Sequence, residues 1–109
     1  MRLDATAAIV SAEKLRDYLL SSAHPIGRYK STFFRSLGYS QDQWHVLERD
    51  LRAVLSNDAE LAGATEYGQK FTVRGTLSGP SGRVAGIVTV WIILTGETAP
   101  RFVTAYPEV

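Results

Sequence analysis

Hydrophobic and polar positions change period along this chain, and the change divides it into helices followed by strands. Ser11 is a good N-cap, and Val10 with Leu15 has the spacing of a hydrophobic staple, so a first helix opens here. Leu15, Tyr18 and Leu19 then supply its buried stripe, and Ser21-Ser22 ends it. A second helix runs from Pro25, which suits a first turn, to Gly38, which suits a C-terminal stop. Ile26, Tyr29, Phe33 and Leu37 share one face of it, with Phe34 at the margin. Ser40 with Gln43 reads as a capping box that starts a third helix at Gln41. Trp44, Leu47, Leu51, Val54 and Leu55 form its stripe, and Asn57-Asp58 closes it. Residues 60–65 read as a loop or a short irregular strand.

From Tyr67 the period shortens to two. Phe71, Val73 and Leu77 alternate with Lys70, Thr72, Arg74 and Thr76, which predicts a strand with one buried face and one polar, basic face. Ser78-Gly79-Pro80-Ser81-Gly82 is a turn. The run Val84–Leu94 follows, apolar and β-branched on both alternating sets: Thr89, Trp91 and Ile93, then Val88, Val90, Ile92 and Leu94. That pattern predicts a central strand covered on both faces. Arg101–Tyr106 is the last strand, with Phe102, Thr104 and Tyr106 expected on one face and Arg101, Val103 and Ala105 on the other. The expected architecture is therefore α+β: three N-terminal helices within residues 12–56, packed on an antiparallel three- to four-stranded sheet within residues 65–107. A length of 109 residues suits a single domain.

Composition and charge narrow the function classes. Zero cysteines leave no disulfide framework and no thiolate metal site. The longest apolar run falls far short of a membrane span and no apolar leader follows Met1-Arg2, so a cytoplasmic protein without a membrane partner is expected. Net charge is only +1, but six of the twelve Lys and Arg residues fall in two acid-free windows, between Asp17 and Asp42 and between Glu66 and Glu97. Should the windows meet, Arg28 or Lys30 would lie near Lys70, Arg74 or Arg101 and form a patch suited to a polyanion.

Two single residues add chemistry. Lys30 falls inside the apolar arc of the second helix, where a lysine must snorkel, pair with an acid, or line a cleft. His24 precedes Pro25 at the expected helix start, where the dipole favours the neutral form that a general base needs. His45 lies off its helix's apolar stripe and reads as exposed. No phosphate loop, nucleophile elbow or paired-histidine metal motif is present, so neither cofactor nor metal is expected. His, Lys, Arg, Tyr and Thr around a sheet suit phosphodiester chemistry without metal, or phosphate binding alone.

The runs KLRDYLLSSAHPIGRYKSTFFRSLGY (14–39), TEYGQKF (65–71), VTVWIIL (88–94) and PRFVTAYP (100–107) resemble a family of small bacterial proteins known as a domain of unknown function. Its members occur alone or at the C-termini of toxin-like proteins, and its layout is similar to the barnase/colicin D/RelE ribonucleases. The resemblance implies an RNA-cleaving toxin with RNA as substrate and a neutralising antitoxin or immunity protein as partner. It places catalysis on His24, Lys30, Thr104 and Tyr106, and substrate binding on Arg28, Tyr67, Lys70, Arg74 and Arg101. The residues themselves leave open a non-catalytic nucleic-acid-binding or protein-interaction module.

Overall fold

The structure, a computed structural model, describes residues 1–25 and 28–108, without the side chains of Arg28 and Tyr29. Four strands, β1 (Ala59–Thr65), β2 (Gly68–Ser78), β3 (Val84–Leu94) and β4 (Arg101–Pro107), form one antiparallel meander in the order β1-β2-β3-β4. The helical part precedes it as α1 (Ala12–Lys14), a π-helical continuation (Leu15–Leu19), α2 (Arg28–Ser36) and α3 (Trp44–Val54). The α+β layout is thus the expected one, with β1 standing where a loop or irregular strand was foreseen.

One face of the sheet carries the core. The register sets Phe71 against Trp91 and Val73 against Thr89, and Ile87, Phe102 and Ala105 join the same buried cluster. Leu15, Leu19, Leu20, Phe34, Leu37, Leu47, Leu51, Val54 and Leu55 close it from the helical side. Trp91 and Thr89 are fully buried, and their polar atoms satisfy each other. The indole Nε1–H donates to Thr89 Oγ1 at 2.8 Å, and the hydroxyl donates to the Val73 carbonyl at 2.8 Å. Phe102 meets the indole edge-on with ring centroids 5.3 Å apart.

β3 is an inner strand, but only one of its faces is fully covered. On the outer face Val88 is buried while Val90, Ile92 and Leu94 are half-buried. The helices pack on the Trp91 side, and the outer set keeps part of its surface exposed. This corrects the expected two-sided cover.

The helix boundaries follow the signals in part. Ser11 caps α1, its hydroxyl accepting from the Lys14 N–H at 3.2 Å. The next turns are wound as a π-helix, closed by Leu20 N–H to Leu15 C=O at 2.9 Å. Gly38, at φ 101°, ends α2 as expected. Its N–H bonds the Arg35 carbonyl at 2.9 Å and the Tyr39 N–H reaches Phe34 at 3.4 Å, the paired bonds of a Schellman stop. Phe34 proves central rather than marginal on α2, fully buried where Phe33 is half-buried. The expected capping box at Ser40 does not form. α3 begins at Trp44 after a turn in which Gln43 N–H bonds Ser40 C=O at 3.2 Å, so Gln43 takes the N-cap position without a side-chain bond.

Candidate functional site

β4 forms the sheet edge beside the helical layer, and a bulge decides what it presents there. Trp91 pairs with Phe102 and Val90 pairs with Thr104, which leaves Val103 as the extra residue. Phe102 and Ala105 therefore point into the core, and Thr104 and Tyr106 take the outer register with Val90 and Val88. The expected common face for Phe102, Thr104 and Tyr106 is thus corrected, because one inserted residue flips the alternation beyond it. The bulge frees Thr104 for a polar contact.

That contact comes from α2. Lys30, half-buried, donates from Nζ to Thr104 Oγ1 at 2.8 Å. Its ammonium stands 5.5 Å from the Tyr18 ring centroid and 5.9 Å from that of Tyr106, within cation–π range of both. Among the described residues it makes no ion pair, so a positive charge is held by neutral groups. Burial would push the Tyr18 phenol up, but hydrogen bonds with Thr104 and Lys30, together with the charges of Lys30 and Lys14, leave it below its usual pKa.

His24 also packs on Tyr18. The imidazole meets the phenol ring edge-on with centroids 5.0 Å apart. Both rings line a cleft of about 340 Å³ with Ser11, Glu13, Lys14 and Asp17. Arg16 holds the Asp17 carboxyl below its ordinary value by a hydrogen bond at 2.9 Å. The expected place of His24 at the start of α2 turns on residues 26 and 27, which lie outside the described residues. Tyr18 is one of its neighbours.

Lys30, Thr104 and His24 are therefore gathered around Tyr18, which sequence reasoning assigned to the core, and Tyr106 joins them through Lys30. A tyrosine within an otherwise leucine stripe was the one signal for it. The remaining residues spread out. Tyr67 is 69% exposed in the β1–β2 turn, where its carbonyl accepts from Thr95 N–H. This is beyond Leu94, four residues along β3 from Val90, or roughly 13 Å from the Thr104 row. Tyr67 thus stands apart from Lys30 and Thr104.

Lys70 and Arg74 stand exposed on the outer face, opposite Ile92 and Val88. Arg74 is bound to Glu108 at 2.6 Å and Arg101 to Glu97 at 3.0 Å. Arg74 and Lys30 approach the same residue, Tyr106, from different elements, which is how far the acid-free windows converge. Arg28's side chain lies outside the described residues.

Other basic residues serve the fold. Arg35 donates to the Leu20 carbonyl at 2.8 and 3.0 Å, and Arg83 donates to that of Ser36 at 3.4 Å. A second depression, about 390 Å³, is lined by Arg35, Tyr39 and Gln41 among others. Their polar groups are committed, Tyr39 to Asp50 at 2.6 Å and Gln41 to the Arg16 carbonyl at 2.8 Å. His45 is exposed against Trp44. No group of three or more His, Asp or Glu among the described residues could hold a metal. Nor is any helix among them long and apolar enough to cross a membrane.

The α+β fold has a solved counterpart. The chain is similar to one in a contact-dependent growth inhibition toxin–immunity protein complex from Klebsiella pneumoniae 342, with a TM-score of 0.74 at 21% identity, covering 93% of this chain and 100% of that one. At that identity the likeness is one of fold. No curated protein matches the sequence. The chain belongs to the DUF6883 family, a domain of unknown function whose model matches residues 2–109.

Proposed function

We propose that this protein is a metal-independent RNA-cleaving toxin of the barnase/colicin D/RelE kind, acting in the cytoplasm as one domain and held in check by an immunity protein or antitoxin. One observation carries the reading: the half-buried Lys30 ammonium, bonded to Thr104 and flanked by Tyr18 and Tyr106, stands one ring away from His24. The toxin–immunity complex that shares the fold supports the biological setting.

His24 takes the proton from a ribose 2′-hydroxyl, whose oxygen then bonds to phosphorus as the P–O5′ bond breaks. The products are a 2′,3′-cyclic phosphate and a 5′-hydroxyl. Lys30, kept in position by Thr104 and Tyr106, neutralises the charge that grows on the non-bridging phosphate oxygens. Arg28, Tyr67, Lys70, Arg74 and Arg101 hold the flanking strand, with Arg74 and Arg101 exchanging their carboxylate partners for phosphates.

Cleavage of RNA by the purified chain tests this, with Lys30→Met and His24→Ala beside His45→Ala. The first two should lose about 10²–10⁴-fold in rate with the fold retained, and the third should lose little. Equal activity in all variants removes the assignment, and an inactive parent removes the enzyme. The half-exposed apolar face of Val90, Ile92 and Leu94 favours a second reading, a protein-interaction module, which an inactive but partner-binding parent would support.

A further inference from the structure

We propose that Tyr18 is the general acid of this site, delivering a proton to the leaving 5′-oxygen; the inference rests on the ribonuclease reading above. Transphosphorylation needs two proton-handling groups, one that takes the proton of the attacking 2′-oxygen and one that protonates the departing 5′-oxygen. His24 supplies one. Tyr18 is the proton donor beside it, with ring centroids 5.0 Å apart, and both line the same cleft.

The surroundings of the phenol suit loss of its proton. Lys30 from α2 stands 5.5 Å from its ring, and Thr104 from β4 bonds that ammonium. Among the described residues, Lys14, Glu13 and Asp17 from its own helical stretch are the other charged side chains lining that cleft, with Asp17 engaged by Arg16. A phenolate formed as the P–O5′ bond breaks is met by the Lys30 charge and the Thr104 hydroxyl, which already draw the phenol below its usual pKa. The phenol O–H breaks and the 5′-oxygen gains that proton to become a hydroxyl; exchange with water then returns a proton to the phenolate and removes the one His24 took. The π-helical winding of Leu15–Leu19 fits this use. It buries Leu15, Leu19 and Leu20 together and leaves Tyr18 at the cleft wall.

The test compares two substrates: an RNA dinucleotide, whose 5′-alkoxide needs a proton to leave, and a nucleoside 3′-(4-nitrophenyl phosphate), whose leaving group does not. Tyr18→Phe keeps the ring contacts. It should lose about 10²–10⁴-fold in kcat on the dinucleotide and cleave the aryl ester at close to the parental rate. A fluorinated tyrosine at position 18, with a more acidic phenol, should shift the dinucleotide rate alone, which gives a second reading in a chain of unchanged shape. Equal loss on both substrates, or no loss on either, overturns the acid assignment and leaves the ribonuclease reading standing. A parent that cleaves neither substrate overturns both.

Discussion

Thr89→Val isolates the polar contact at the centre of the sheet. The substitution replaces a hydroxyl by a methyl group of similar size, so no cavity opens, and Thr89 is fully buried, so water cannot enter to compensate. Two bonds are lost, one from Trp91 Nε1 at 2.8 Å and one to the Val73 carbonyl at 2.8 Å. The indole is a donor with a single hydrogen and is left with no acceptor, whereas a carbonyl has two lone pairs and tolerates the loss better. A buried donor left unsatisfied costs about 1–3 kcal/mol, which sets the expected destabilisation. For a domain near 100 residues each kcal/mol lowers Tm by about 4–8 °C. Urea unfolding should show a lower midpoint with an unchanged m-value, since the surface exposed is the same. The decisive measurement adds Trp91→Phe, which removes the donor. The double variant should then be more stable than the two single losses predict, with a coupling of about 1 kcal/mol or more. A Thr89→Val protein as stable as the parent, or a coupling near zero, would refute the claim that this pair is held by its hydrogen bond.

Two further outcomes follow from the same geometry. Burial and the Asp50 carboxylate push the Tyr39 phenol up from its ordinary value near 10, so the folded chain keeps its proton where the unfolded chain loses it. Its contribution is therefore fully present below about pH 10 and declines as pH rises above that value; Tyr39→Phe should be less stable at neutral pH but show a flatter alkaline loss in pH-dependent urea titrations. At Gly79 an added Cβ would lie 2.0 Å from the Leu37 carbonyl oxygen, which also accepts the Ser81 N–H at 3.0 Å, so Gly79→Ala must displace the β2–β3 turn from the end of α2. It should cost about 1–3 kcal/mol by urea midpoint, while Gly63→Ala, where a Cβ meets nothing within 4 Å, should stay within about 0.5 kcal/mol of the parent.

Side-chain period is a local property, and whatever depended on it alone could be read before folding. The Val84–Leu94 run emerges as an inner strand with the bounds its turns imply, and Gly38 ends α2 where a left-handed stop was expected. The misfit of Lys30 within an apolar arc was likewise local, and it marked the residue around which Thr104 and Tyr106 gather. Tertiary contacts decided the rest. Alternation along Arg101–Tyr106 cannot announce that Val103 is an extra residue, because the bulge exists only in the register against Val90 and Trp91. Nor does the spacing of Leu15 and Leu19 distinguish α from π winding; in the folded chain Leu15, Leu19 and Leu20 share one core and Tyr18 lies beside Lys30 and His24. Residues 1–10 offered no periodic signal. They are fixed by bonds to distant segments, Ile9 to Pro100 and Phe102, and Ala8 through its carbonyl to Arg52. The apolar outer side of β3 stays half-exposed because three helices bury one face of a sheet, and a strand's composition does not say which faces find a covering layer.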